Sequence, residues 1–275
     1  MSPTPSTSTA KPARVRLDQL VVDRGLAETR AKAQALILAG KVRVGDGDAA
    51  RSDRKAGDLV EAGSAITVTA PDPYVSRGGL KLAAALDGFG LDPSGLACLD
   101  VGASTGGFTD VLLQRGARRV YAVDVGRGQL AESLRHDARV VSMERTNART
   151  LTSTSLPEPA DLAVIDVSFI SLGLILRPVA ATLRSGTDAA IVALVKPQFE
   201  AGKGRTDHGV VRDAAIHREV LERIVETASD LRLGARDVIA SPILGPEGNR
   251  EFFVHLQPGP GCADIGAQIR EVTGA

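Results

Sequence analysis

Cysteine is scarce in this chain, which has only Cys98 and Cys262. Their spacing matches no metal-binding pattern and provides no disulfide framework, so both are expected to be free thiols. The four histidines, His136, His208, His217 and His255, form no metal-ligating set, and no metal is expected. No apolar run approaches the roughly 18 residues a membrane span requires, and no amphipathic lipid-facing segment is visible. The opening MSPTPSTSTAKPA lacks the hydrophobic stretch of a secretory signal. Residues 1–13 read as a disordered Ser/Thr/Pro tail, and the chain is expected to be cytoplasmic. Two nucleotide signatures are also missing. Without G-x-G-x-x-G, nicotinamide cofactors are disfavoured, and without G-x-x-x-x-G-K-[ST], so is triphosphate hydrolysis.

Net charge is absent too, but its distribution is uneven. Residues 1–56 hold eleven of the 33 Lys/Arg and six of the 33 Asp/Glu, leaving 22 basic and 27 acidic residues beyond. A basic N-terminal part ahead of an acidic remainder suits a polyanionic partner. Within 14–69, RLDQLVVDRG puts Leu17, Leu20 and Val21 on one helical face that ends at Gly25. ETRAKAQALILAG starts a second helix behind Thr29 as N-cap and stops at Gly40. KVRVGDGDAA alternates as a strand into a turn, and DLVEAGSAITVTA adds strand material for a small curled sheet. Arg16, Arg24, Arg30, Lys32, Lys41 and Arg43 recur on this unit, where composition alone favours a solvated charged face.

APDPYV breaks regular structure twice with proline, so 70–76 read as a linker with Tyr74 and Val75 as an apolar plug. From 77 to 275 short apolar runs alternate with helical stretches. ACLDVG, RVYAVDV, RVVSM, DLAVIDVSF and AAIVALVKP are the runs; GFTDVLLQRG, GQLAESLRHD and the region after Ser171 are helical. This predicts an α/β fold with a doubly wound parallel sheet. RDAAIHREVLERIVETASDL is an amphipathic helix. ARDVIAS and EFFVHLQ then supply a last pair of strands, one of them reversed.

LDVGASTGGFTD is the strongest local signal. A buried strand ends at Gly102, and Gly106 and Gly107 let the backbone turn close to a ligand before a helix begins at Phe108. By itself the loop fits a dinucleotide about as well as other nucleosides. Asp124 ends the second strand, about 20 residues later, where a carboxylate accepts hydrogen bonds from ribose hydroxyls. Lys81 and Lys196 are more unusual, because lysine seldom enters packed runs such as RGGLKL and VKPQF unless it is paired. Asp166 ends the fourth strand and Glu251 opens the last one. The plain alternative is two ion pairs on a sheet rim.

Several of these segments resemble known families. RLDQLVVDRGLAETRAKAQALILAGKVRVGD resembles the RNA-binding domain named after ribosomal protein S-four. That implies phosphate contacts from the six basic residues rather than base reading. The glycine loop with Asp124 is similar to the S-adenosylmethionine site of class I methyltransferases. The resemblance implies cofactor contacts from Gly102, Ser104, Thr105, Gly106, Gly107, Phe108, Asp124, Asn147 and Asp166, with Asn147 facing the adenine. Lys81, Asp166, Lys196 and Glu251 resemble the tetrad of the FtsJ-like RNA ribose 2′-O-methyltransferases. YVSRGGLKL, DVGASTGGFTD, DVSFISL, LVKPQFE, GPEGNREFF and EFFVHL together are similar to the TlyA family of rRNA 2′-O-methyltransferases. Tyr74 departs from that pattern, standing where family linkers often carry Trp.

The resemblance implies methylation of a cytidine ribose in 16S or 23S rRNA, or in both. Its partner would be ribosomal RNA or a ribosomal subunit, with no membrane and no stable protein partner. A 2′-hydroxyl must lose its proton as it attacks a methyl group, and the family pattern makes Lys196 the base. A lysine can take that role only when neutral, although a free amine ionises near pH ~10.4. Lys81, Asp166 and Glu251 would orient the amine and the ribose. The charged loop after Lys196 is expected to close over the target, with Lys203 and Arg205 near phosphates. Two other readings remain open: a membrane-active haemolysin, as relatives are often labelled, and a non-catalytic ribosome-assembly factor.

Overall fold

The computed structural model describes residues 13–47, 50–69, 73–186, 188–202 and 204–274. The chain divides into two compact units, Met1–Pro71 and Asp72–Ala275. Residues 1–12 of the expected tail, the first residues of the linker and Lys203 lie outside the described residues.

In the first unit, β1 (Arg14–Arg16) leads into α1 (Leu17–Asp23), followed by α2 (Arg30–Leu38), β2 (Val42–Val44), β3 (Leu59–Glu61) and β4 (Ile66–Val68). The Thr29 side chain caps α2 by accepting from the Lys32 amide. Gly40, just past the helix, takes a φ of 68°. The single curled sheet expected from the sequence is instead two antiparallel pairs, β1 with β3 and β2 with β4. Three-residue strands carry too few ladder bonds to form a wider sheet, so each pair closes against the helices. Leu17, Leu20, Val21, Ala33, Ile37, Val42, Val44 and Val60 make the core.

The second unit opens with α3 (Gly78–Phe89) and continues through β5 (Ala97–Val101), α4 (Gly107–Gln114), β6 (Arg119–Val123), α5 (Glu132–Arg135) and β7 (Val140–Met143). β8 (Leu162–Ile165), α6 (Leu176–Ala180), β9 (Ala190–Val195), α7 (Pro197–Glu200) and α8 (Ala214–Asp230) come next, then β10 (Leu233–Ala240), β11 (Phe252–Pro258) and α9 (Ile265–Thr273). The seven-stranded sheet runs β10-β11-β9-β8-β5-β6-β7. β11 pairs antiparallel with both neighbours, so it is the reversed strand, inserted beside the parallel set. Along β9, Ile191, Ala193 and Val195 face one core while Ala190, Val192 and Leu194 face the other. A strand covered on both faces shows no polar alternation, which is why these runs read as continuously apolar.

Some boundaries differ from the sequence expectation. GQLAESLRHD forms only the single turn α5, because the chain before it folds back under the glycine loop: the Ala131 amide donates to the Thr105 carbonyl. β10 starts at Leu233, earlier than ARDVIAS suggested, with a register irregularity between Ala235 and Asp237. Residues 73–76 are attached to the second unit. The Val75 amide donates to Asp110 (2.8 Å), Gln114 donates to the Pro73 carbonyl (2.9 Å), and Tyr74 and Val75 lie against the apolar core.

Candidate active site

Register and chain direction place the site. Val101 lies beside Ile165 in parallel pairing, so the next residues, Gly102 and Asp166, leave the sheet side by side. Ile165 pairs with Ala193, which puts the end of β9 along the same rim. In the antiparallel pairing of β11 with β9, Phe252 is opposite Val195, and extending it by one residue sets Glu251 next to Lys196. A carboxylate from the start of a reversed strand thereby joins groups from the ends of parallel ones. Lys81 comes from α3, whose buried stripe of Leu82, Ala85 and Leu86 holds the helix on the core.

The four tetrad residues line one cavity of about 540 Å³, together with Ser76, Arg77, Gly102, Ser104, Thr105, Gly107, Phe108 and Gly245. They form two ion pairs. Lys81 Nζ donates to Glu251 Oε2 at 2.5 Å, with the Glu251 side chain fully buried. Lys196 Nζ pairs with Asp166 and also donates to Ser168 Oγ at 2.9 Å. Burying a charge without a partner costs several kcal/mol, so each amine is tolerated at the rim only with its carboxylate. Glu251 Oε1 lies against Gly245, where a Cβ would stand 2.1 Å away. Any side chain there would have to displace the Glu251 carboxylate.

A second cavity of about 530 Å³ shares Gly102, Ser104 and Asp166 with the first and adds Asp124, Asn147, Val125, Phe169, Ile170 and Ile175. Asp124 is oriented by two amides, from Ser104 (2.8 Å) and Gly126 (2.7 Å), one on each oxygen. A carboxylate has about four acceptor positions, so two remain for hydroxyl donors. Asn147 caps a short 3-10 turn through its Oδ1, which accepts from the Arg149 amide. The glycine loop is shaped by close approach. A Cβ on Gly107 would lie 2.2 Å from Ser76 Oγ, and one on Gly106, at φ 99°, would lie 2.3 Å from Leu134. Gly106 lines neither of the two larger cavities; it makes the turn that lets its neighbours do so.

Three groups at the site escape the sequence reading. Asp100 sits in the middle of β5, fully buried, with Thr109 Oγ1 donating to Oδ2 at 2.6 Å and no partner on Oδ1. Burial pushes its carboxyl up to about 7 despite the Thr109 hydrogen bond. A lone carboxylate inside the apolar run ACLDV is the available signal. Arg77 in RGGLKL and Ser168 in DVSF also reach the site, but nothing in their spacing sets them apart from turn residues. Cys98, by contrast, is inert: burial pushes its thiol up to about 12.

The basic candidates are largely engaged within their own units. Asp18 is completely buried and receives Arg16, Arg30 and Gln34 (2.9–3.0 Å). Arg24 donates to the Ala62 carbonyl (2.7 Å), Lys32 pairs with Glu28, and Arg43 reaches the Ala50 carbonyl. Lys41 has a partner as well. Arg205 is held in a bidentate pair by Glu219 (2.6 and 2.7 Å).

The family profile of FtsJ-like methyltransferases matches residues 74–258, and that of the S4 domain matches residues 15–47. Over 89% of its length the chain is 46% identical to the 16S/23S rRNA (cytidine-2′-O)-methyltransferase TlyA of Mycobacterium tuberculosis, covering 90% of that protein. The chain belongs to the TlyA family of FtsJ-like methyltransferases. Another member, Hemolysin A of Brachyspira hyodysenteriae, is 40% identical over 88% of this chain and 99% of its own. A solved structure of a hemolysin-named protein from Streptococcus thermophilus is 44% identical, covers 96% of both chains and superposes with a TM-score of 0.73. The family thus carries two names, one for a reaction and one for lysis. Among the described residues no helix is long and apolar enough to cross a membrane.

Proposed function

We propose that this chain is an S-adenosylmethionine-dependent rRNA ribose 2′-O-methyltransferase. The observation that carries this is the placement of two lysines and two carboxylates in one cavity that shares Gly102, Ser104 and Asp166 with the cavity of Asp124 and Asn147. The second cavity fits the cofactor: its volume suits a nucleoside, Asp124 offers acceptors for ribose hydroxyls, and Val125, Phe169 and Ile170 wall a flat base. Bound there, S-adenosylmethionine supplies an electrophilic methyl carbon.

The chain's own residues manage the proton. Lys196 stands at the shared rim, held by Asp166 and Ser168, and takes the 2′-hydroxyl proton in its neutral form. Asp166, common to both cavities, orients that amine. The Lys81 ammonium, held in place by Glu251, presents its remaining N–H groups to the ribose and its phosphates. The S4 domain supplies a basic surface for structured RNA, with Arg16, Arg24, Arg30, Lys32, Lys41 and Arg43 as phosphate contacts. Even the arginines bound to Asp18 stay about half exposed, so their outer N–H groups can reach phosphate. The target is a cytidine ribose of 16S or 23S rRNA, reached by flipping the nucleotide from its helix.

The test is to incubate the purified protein with unmethylated ribosomal subunits and S-adenosylmethionine and map 2′-O-methyl sites. Methylation by the wild type and none by Lys196→Ala supports the reading. Equal product from both overturns Lys196 as the base, and no product from either overturns the function. The name shared with haemolysins is tested by dye release from liposomes, where none is expected.

A further inference from the structure

The Lys196 amine is held from two sides, and only one of the holders is a carboxylate. Ser168 Oγ, 2.9 Å from Nζ, is the second. It stands two residues after Asp166, on the turn that leaves β8, so one short turn supplies both partners of the amine. The backbone of that turn is unusual. Phe169 adopts φ 64°, in the left-handed region that a bulky residue seldom enters. The residue is 89% exposed, so burial does not explain the strain. What the ring does touch is Phe199, centroid to centroid 4.8 Å, in the turn α7 that directly follows Lys196. The ends of β8 and β9 are therefore joined by the Asp166 ion pair, the Ser168 hydroxyl and the Phe169–Phe199 contact.

Geometry separates the two holders. Asp166 is a fixed acceptor and draws Nζ toward the cavity shared with the cofactor loop. A carboxylate alone leaves the amine free to rotate about the Cε–Nζ bond and to swing on a flexible four-carbon stem. A second, angled partner removes that freedom. A hydroxyl suits the place because its oxygen accepts an N–H from the amine in either protonation state and leaves the lone pair of the neutral form free.

We propose that Ser168 is a positioning residue of the methyl-transfer site, fixing the Lys196 amine so that its lone pair meets the ribose 2′-hydroxyl. The inference rests on Lys196 being the base. Ser168 also lines the cavity of Asp124 and Asn147, but its proposed role is exerted on the amine. It acts through Lys196, as partners of reacting groups commonly do.

The experiment compares Ser168→Ala, Ser168→Thr and Lys196→Ala in the full chain, using ribosomal subunits and S-adenosylmethionine. Ser168 is exposed, so these variants are expected to fold. Ser168→Ala should lower kcat about tenfold to ~10²-fold, the scale of a misplaced reacting group. KM for both substrates should stay unchanged. Ser168→Thr, which keeps the hydroxyl, should restore most of the rate. Loss of rate in Lys196→Ala with no change in Ser168→Ala overturns the positioning role alone, as does a loss confined to KM. Full activity in Lys196→Ala overturns the reading on which both depend.

Discussion

Gly102 and the carbonyl of Asp166 are in direct contact: a Cβ on Gly102 would lie 2.3 Å from that oxygen. Gly102 also adopts φ 86°, so the backbone conformation and the space both demand glycine. This contact joins the cofactor loop to the strand end that carries a tetrad carboxylate. Gly102→Ala must shift backbone against backbone. It should destabilise the protein by about 2–5 kcal/mol, combining left-handed strain with overpacking. Thermal melting measures this, and titration calorimetry with S-adenosylmethionine should show weakened binding. An unchanged melting temperature would contradict the contact.

The Lys81–Glu251 pair spans 170 residues of sequence and is buried. Removing one member leaves the other charge without its partner, so Glu251→Gln and Lys81→Met should each cost about 3–5 kcal/mol. The double variant Lys81→Met with Glu251→Gln should recover much of that stability while remaining inactive. Denaturant unfolding of the four proteins gives the coupling. Simple addition of the two single costs would show that the amine and carboxylate do not depend on each other.

Stability should vary with pH in two opposing ways. Asp100 is raised to about 7 in the folded chain by burial, against an unfolded value near ~4. Its contribution is present below pH ~4 and is lost as pH rises through 7, on the order of 4 kcal/mol at most. Asp100→Asn should therefore melt above the wild type at pH 8 and close to it at pH 4–5. His217 and His255 act in the other direction. Burial lowers both, so stability falls as pH drops below ~6.5, where the unfolded imidazoles take up protons. Melting curves from pH 4 to 8 resolve the two limbs.

In the S4 domain, Asp18 collects Arg16, Arg30 and Gln34 while completely buried. Arg16, with Gln34 and Arg30, holds its carboxyl well below the usual range. Its contribution is present above pH ~4 and is lost as pH falls below that. Asp18→Ala should cost about 2 kcal/mol or more, the scale of charged hydrogen bonds. It should also weaken RNA binding, because two arginines lose their orientation. Filter binding of rRNA fragments at two salt concentrations checks the second effect. Unchanged affinity would place Arg16 and Arg30 in a purely structural role.

The local grammar of this chain is legible in its residues alone. Thr29 as a cap, Gly40 as a stop, the buried runs of the parallel strands and the glycine turn after β5 all follow from short-range chemistry, in which each residue answers to its neighbours. The resemblance of RGGLKL, DVSFISL and LVKPQFE to one family points to the same residues. Chain order does not say which lysine pairs with which carboxylate, nor that Arg16 and Arg30 share Asp18, nor that Ser168 reaches Lys196. Those relations rest on register. Pairing Phe252 with Val195 brings Glu251 beside Lys196, while Lys81 arrives from a helix 170 residues earlier than Glu251. Sequence determined most of the strands and turns, because those choices are local. Tertiary structure alone decided which charges meet, because burial and strand pairing act between residues that the chain keeps far apart.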